Sequence, residues 1–156
     1  MPVRMFVSDL TIDRNTKTPI LLLTDADGEM TLPIYIGLME ASAIAAAKEN
    51  LKLPRPMTHD LLTDLILVLG GILEAVEVCD LCEGTFFAVL KIRRDDELLE
   101  VDSRPSDAIA LAIRSDAPIW VAECVLEEAG VPSDKRDKWT EFLENLEPED
   151  FGKYKM

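Results

Sequence analysis

Apolar and polar positions alternate along some stretches of this chain and recur at helical spacing along others, in a repeated order. Three strand-like stretches, "RMFVSDLTID", "TPILLLTD" and "TLPIYIG", are followed by an Ala-rich helical stretch, "LMEASAIAAAKEN". The order then begins again with "ILEAVEVCDL", "GTFFAVLKIRR" and "LLEVD", which lead into the helical stretch "RPSDAIALAIRSD". These periodicities predict an α+β fold, a mixed β-sheet with helices.

Other elements lie between and after the two units. The linker "LKLPRP" leads into a helix, "THDLLTDLILVLGG", whose apolar face is formed by Leu61, Leu62, Leu65, Ile66 and Leu69. A short strand, "PIWVAE", and one or two helical turns, "CVLEEAG", follow the second unit. A C-terminal amphipathic helix is predicted from the helical spacing of Trp139, Phe142, Leu143 and Leu146.

The repeated order indicates an internal duplication of β-β-β-α units. "ASAIAAAKE" aligns with "SDAIALAIR" at one constant shift, so that Ala43 matches Ala108 and Ile44 matches Ile109. We predict pseudo-repeats of about 3–70 and 72–122 in a domain of residues 1–130, followed by a helical tail of residues 131–156. A duplicated unit commonly has its cleft where the halves, or two subunits, meet.

The charge of the chain limits the classes of function. It has 156 residues, 30 acidic and 16 basic, with a net charge of −14. Such a surface repels nucleic acid unless a local positive patch or bound metal cations compensate. No apolar run is long enough to span a bilayer, and the first residues do not resemble a signal peptide, so we expect a cytoplasmic protein with no membrane partner.

The chain has three cysteines, an odd number that does not indicate a framework of disulfide bonds. Cys79 and Cys82, in "CDLC", have the spacing of a metal or redox pair. The segment continues a strand pattern, however, in which residues three apart point to opposite faces. No second CxxC is present and the chain has one histidine, so a structural role is favoured over zinc or redox chemistry.

Two similar segments, "RPMTHDLL" and "RPSDAIAL", predict two helix N-termini of the same kind. Proline, hydroxyl residues and aspartate are all common in the first turn of a helix. An arginine before the proline is not required for capping, and its charge opposes the helix dipole. An anion at each helix mouth would explain Arg55 and Arg104, with Thr58 and Ser106 beside them, and so would an internal ion pair.

Further side chains near these mouths could carry chemistry. His59 is the one histidine, and its usual pKa suits proton transfer near neutral pH, although a lone histidine is more often structural. Asp60 and Asp107 lie in the first turns of the two predicted helices. Glu40 begins the first helix and Asp102 ends the strand before the second mouth.

Several motifs resemble one known family, the bifunctional nuclease domain family. They are "LPIYIGLMEASAIAAA", "RPMTHDLL", "DLCEGTFFAVL" and "VDSRPSDAIALAIRSDAPIWV", and the likeness runs from about Met5 to Leu126. Phe87 stands where the family pattern leads us to expect Tyr, and "KENLKLPRP" lacks an expected Gly. The resemblance implies cleavage of DNA and RNA, a mixed α+β sheet with internal duplication, and a homodimer or higher homo-oligomer.

We therefore predict a nuclease with its site at the helix mouths. His59, Asp60 and Asp107 are the catalytic candidates; Arg55, Thr58, Arg104 and Ser106 are the substrate-binding candidates; Glu40 and Asp102 are candidate ligands of Mg²⁺ or Mn²⁺. The alternatives are a non-catalytic module that binds a small anionic ligand or a protein partner, and Arg-Pro pairs that only stabilise the fold.

Overall fold

The computed structural model describes residues 1–133, which form one eight-stranded mixed sheet and four helices. The elements in chain order are β1 (Val3–Ile12), β2 (Pro19–Asp25), β3 (Met30–Tyr35), α1 (Leu38–Lys48), α2 (Thr58–Val68), β4 (Gly71–Cys82), β5 (Thr85–Arg94), β6 (Glu97–Ser103), α3 (Pro105–Ser115), β7 (Ile119–Val121), α4 (Glu123–Ala129) and β8 (Val131–Pro132). The strand order across the sheet is β6-β5-β4-β7-β1-β2-β3-β8. The predicted mixed α+β fold is confirmed.

The repeated element order is also present. Three antiparallel strands, β1 to β3, lie on one side of β7, and three more, β4 to β6, lie on the other. Strand β7 pairs parallel with β4 and antiparallel with β1, which joins the two halves. The origin of the halves by duplication stays a prediction. The predicted C-terminal amphipathic helix lies outside the described residues.

Helix α3 is the central helix of the fold. It packs against α1, α2, β4 and β5, and its buried side chains include Ala108, Ile109, Ala110, Leu111 and Ala112. Small side chains allow the close approach of a helix to its neighbours, because protein interiors are packed at crystal-like density. The N-terminus of α3 is therefore held firmly in place by the core.

Helix α2 differs, because none of its residues is buried. Its predicted apolar face is exposed, and Leu61 keeps 49% of its surface accessible. No helix within residues 1–133 is long and apolar enough to cross a membrane. Helix α2 thus lies on the outside of the fold, where it packs against α3 and β4.

The prediction of two equivalent helix mouths is wrong. In α3, Arg104 is the N-cap residue and Pro105 is the first helical residue. In α2, the N-cap is Met57, so Arg55 and Pro56 precede the helix. The Met57 backbone N–H donates to Asp60 Oδ2 at 3.0 Å, and this cap fixes the start of α2 after the proline.

Candidate functional site

A cleft of about 1000 Å³ lies between the three helices α1, α2 and α3 and the strands β5 and β6. Its apolar wall includes Leu62, Ile66, Leu90, Ile92 and Val101. Its polar side chains lie where the first turns of the three helices meet the end of β6, and they include Glu40, His59, Asp102, Arg104 and Asp107. Apolar walls with a few convergent polar groups are typical of ligand sites.

Asp107 is the centre of the polar cluster. Its carboxylate accepts two hydrogen bonds from Arg104, from Nε to Oδ2 at 2.9 Å and from Nη2 to Oδ1 at 3.2 Å. Oδ1 also lies 2.9 Å from His59 Nε2. Asp107 therefore joins the N-terminus of α3 to the first turn of α2.

Glu40 extends the cluster to α1. Arg104 Nη1 donates to Glu40 Oε1 at 2.9 Å. A guanidinium carries five N–H donors, and three of those of Arg104 are used by the two carboxylates. The Arg104 side chain is 52% exposed and lines the cleft, so the guanidinium is open to a ligand there.

The pKa values of this cluster are shifted toward the charged forms. Burial alone would raise the pKa of Asp107, but the hydrogen bonds from Arg104 and His59 outweigh it, and the pKa is lowered. The backbone N–H of Glu40 lowers the pKa of its carboxyl, and the bond from Arg104 lowers it further. The bonds to Asp107 and then Glu40 raise the pKa of Arg104. Both carboxyl groups are thus ionised at neutral pH.

The ionised Asp107 fixes the tautomer of neutral His59. A carboxylate can only accept hydrogen bonds, so His59 Nε2, at 2.9 Å, carries the hydrogen. In the neutral ring, Nδ1 is then left with a lone pair. The His59 side chain is 12% exposed, and the ring lines the cleft. The arrangement can therefore accept a proton at Nδ1.

A second polar tie holds α2 in place, through Arg114 near the end of α3. Its Nε donates to Asp60 Oδ1 at 2.8 Å, its Nη1 to the Ala110 carbonyl at 3.0 Å and its Nη2 to the Ala43 carbonyl at 3.1 Å. The Arg114 side chain is 10% exposed. The bond from the Met57 backbone N–H lowers the pKa of Asp60, and that from Arg114 lowers it further.

Comparison with known proteins assigns the chain to a family. The model of the family described as "Bifunctional nuclease domain" matches residues 21–134, a range that includes every residue of the polar cluster. This chain belongs to the bifunctional nuclease domain family.

Individual proteins similar to this chain support the same family assignment. A Mycobacterium tuberculosis protein named "Uncharacterized protein Rv1829" is 41% identical over 159 residues, covering 93% of this chain and 95% of the relative. "Bifunctional nuclease 1" of Arabidopsis thaliana is 31% identical over 107 residues, 66% of this chain and 33% of the relative. The rice protein of that name (Oryza sativa subsp. japonica) is 27% identical over 105 residues, which cover 65% of this chain and 32% of the relative. The chain thus spans about a third of each plant relative.

Within this bifunctional nuclease domain, the predicted site residues fall into three groups. Glu40, Thr58, His59, Asp102, Arg104 and Asp107 all line the one cleft. Arg55 and Asp60 line a neighbouring cleft, which shares Leu53, Met57 and Arg114 with the first. Ser106 is only 1% exposed, so it lies in the interior and lines neither of these clefts.

Arg114 lines both clefts of this bifunctional nuclease domain, but the sequence alone does not indicate its role. The one sequence feature that could have drawn attention to Arg114 is its place in the last turn of α3, a helix with one largely apolar face. Arginine in a last turn is common because it suits the helix dipole. The residue it binds, Asp60, is 54 positions away, and no local pattern indicates that partner.

Mg²⁺ or Mn²⁺ was predicted at Glu40 and Asp102. Among residues 1–133, no three His, Cys, Asp or Glu side chains lie close enough together to hold a metal ion, and Glu40 is bound to Arg104. The described residues therefore do not form a ready three-ligand site. Cys79 and Cys82, likewise, are free thiols on β4.

Proposed function

We propose that this protein is a nuclease that hydrolyses phosphodiester bonds in DNA and RNA at the cleft between α1, α2 and α3. One observation carries the proposal: a histidine held by an ionised aspartate lies beside an exposed guanidinium that, among residues 1–133, uses three of its five N–H groups. Family membership supports it, since the plant relatives are named bifunctional nucleases.

In the proposed reaction, His59 Nδ1 accepts a proton from a water molecule as its oxygen attacks phosphorus. The bond from phosphorus to the leaving oxygen breaks, and that oxygen takes a proton from the imidazolium or from solvent. Asp107 holds the ring and stabilises its charged form. Arg104 donates to the phosphate oxygens, where negative charge increases in the transition state. The products are a phosphomonoester and a hydroxyl.

Arg55 extends the proposed substrate site. It lines the neighbouring cleft, and the two clefts share lining residues, so a strand with one phosphate at Arg104 can run toward Arg55. Thr58 and Asp102 line the first cleft beside the reacting phosphate. Divalent metal assistance stays part of the proposal, because Mg²⁺ is commonly held by one or two carboxylates together with substrate phosphates.

We also propose that the protein is a homodimer or a higher homo-oligomer. The exposed apolar residues of α2 support this, including Leu61, Leu65, Leu67, Val68 and Leu69. Contiguous exposed apolar surface of this kind commonly marks a protein–protein contact.

The test measures cleavage of end-labelled single-stranded DNA and RNA by the wild-type protein, His59→Ala and Arg104→Ala. Loss of the proton acceptor should slow cleavage about 10²- to 10⁴-fold. Arg93→Ala, which removes an arginine from an exposed ion pair on the sheet, is the matched control and should cleave at the wild-type rate. Added EDTA tests the need for metal. Equal rates for wild type and His59→Ala would refute the site.

The second candidate function is a non-catalytic module that binds a small anionic ligand or a partner protein. It is favoured by the lining of the cleft, an apolar wall that includes Leu62, Ile66 and Val101 with a few polar groups, because such a lining is typical of binding sites as well as of active sites. The discriminating variant is Arg55→Ala/Arg104→Ala in highly purified protein. Nuclease activity that survives both substitutions would come from a contaminant, and this candidate would then replace the nuclease.

A further inference from the structure

Glu40 lies in the first turn of α1, and its carboxylate reaches Arg104 at the start of α3. Glu40 Oε1 and Arg104 Nη1 are 2.9 Å apart, and the Glu40 side chain is 22% exposed. Its other oxygen, Oε2, lies against Gly37, the N-cap of α1, where an added Cβ would overlap it. The absence of a side chain at position 37 therefore allows the carboxylate to fold back over its own helix and meet Arg104.

The two carboxylates on Arg104 are held differently. Asp107 takes a two-pronged contact through Nε and Nη2, and it also binds His59. Glu40 takes a single contact, through Nη1. Bidentate pairs are the stronger and more specific arrangement, so Glu40 is the partner that leaves more readily. Its departure would give Arg104 three unused N–H groups on Nη1 and Nη2.

We propose that Glu40 competes with phosphate for Arg104, so that a ligand needs further contacts in the cleft to bind tightly. The inference rests on the proposed function, because it takes Arg104 as the group that binds the substrate phosphate. A phosphate reaches its full set of contacts only by displacing the Glu40 carboxylate from Nη1.

The consequence for ligand choice follows from charge. With neutral His59, the group of Glu40, Asp107 and Arg104 carries one net negative charge, and it is neutral without Glu40. A free phosphate must overcome that repulsion with no other contacts, whereas a nucleic-acid strand adds contacts along the apolar wall and at Arg55. Glu40 thus lowers the affinity for both ligands by the same repulsion, and only the strand has other contacts with which to offset it.

The test is a titration with inorganic phosphate, at neutral pH and constant ionic strength, followed by NMR of the imidazole ring. The chain has one histidine, so in untagged protein the ring signals need no assignment, and His59 lies against Asp107 beside Arg104. Glu40→Gln removes the charge but keeps an acceptor. Gly37→Ala keeps the charge but displaces the Glu40 side chain; position 37 has φ −77 and ψ 163, which alanine adopts without strain.

Both variants should bind phosphate more tightly than wild type. Glu40→Gln should do so by about three- to tenfold, the effect expected from removing one nearby charge at a partly exposed site, and Gly37→Ala because its displaced carboxylate no longer pairs with Arg104 Nη1. The matched control is Glu74→Gln, which removes the same charge from an exposed Arg–Glu pair outside the cleft and should leave the affinity unchanged. Arg104→Ala should abolish the phosphate-dependent shift.

The inference is overturned if Glu40→Gln binds phosphate equally or more weakly, if Arg104→Ala still binds, or if no variant binds. Cleavage assays on the same samples separate this result from the proposed function. Tighter phosphate binding in a protein that cleaves nothing keeps the role of Glu40 and refutes the nuclease. If cleavage needs His59 but phosphate affinity does not depend on Glu40, the nuclease stands and the role of Glu40 is refuted.

Discussion

Asp107 is the residue whose charge state most directly controls the polar cluster. Burial disfavours its ionised form, yet the bonds from Arg104 and His59 lower its pKa overall. A carboxyl group whose pKa is lowered by folding stabilises the folded protein above its unfolded-state pKa, and that contribution is lost as the pH falls through the folded-state pKa. The contribution of Asp107 is therefore complete at neutral pH and is lost in the acid range, below about pH 4.

Asp107→Asn should be less stable than wild type at pH 7, and the difference should shrink below about pH 4. The reason is that protonated aspartate and asparagine are both neutral and of similar shape. The measurement is the free energy of unfolding in urea at a series of pH values. Asp96→Asn, in the turn between β5 and β6, corrects for the change in net charge. A difference between Asp107→Asn and wild type that stays constant with pH would contradict the assignment.

At the scale of elements, α2 is the helix whose position depends on polar ties. None of its residues is fully buried, so it gains less from the hydrophobic effect than α3, whose buried side chains anchor it in the core. Its first turn is held by His59 against Asp107 and by Asp60 against Arg114. Arg114 also donates hydrogen bonds to backbone carbonyls of α1 and α3, so its side chain connects all three helices around the cleft.

Arg114→Ala should lower the free energy of unfolding by about 2 kcal/mol, because it removes hydrogen bonds to a charged partner and leaves two carbonyls without that donor. Amide hydrogen exchange in α2 should accelerate more than in α3, since the helix opens locally when its tie is removed. Arg93→Ala, which breaks an exposed pair with Glu74 of similar length, should cost less than about 1 kcal/mol. Equal losses for the two variants would show that Arg114 is an ordinary surface residue.

The strands and helices could be predicted from sequence because their periodicities are local. The alternation in "ILEAVEVCDL" and the spacing in "RPSDAIALAIRSD" each specify an element without reference to the rest of the chain. The two-residue strand β8 is too short to have a period. The exposure of α2 could not be predicted, because an apolar face indicates what a helix can bury and says nothing of whether a partner is present.

The site could be predicted only in part, for a related reason. His59 and Asp107 were selected separately from the chemistry of their side chains, and their contact joins residues 48 positions apart. Arg104 was expected to meet either an anion or an internal carboxylate, and it binds Glu40, 64 positions away. Such pairs are decided by how α1, α2 and α3 pack, which no single segment of the sequence specifies.

At the scale of the whole molecule, the exposed surface of α2 bears on assembly. Val68 and Leu69 at its end are 80% and 70% exposed. In a protein with a net charge of −14, like-charge repulsion opposes self-association over most of the surface. A contiguous apolar patch is the place where that repulsion is most readily offset, by removal of apolar surface from water.

We expect sedimentation equilibrium to give wild type a mass of at least two chains, and Val68→Lys to shift the protein toward monomer by about tenfold or more in dissociation constant. A lysine in the proposed contact must lose hydration without a partner. The fold should persist, because Val68 is 80% exposed, and circular dichroism checks this. Ile12→Lys, which places the same charge at an exposed β-branched residue on β1, is the matched control. A monomeric wild type, or equal masses for the two variants, would exclude α2 as the contact.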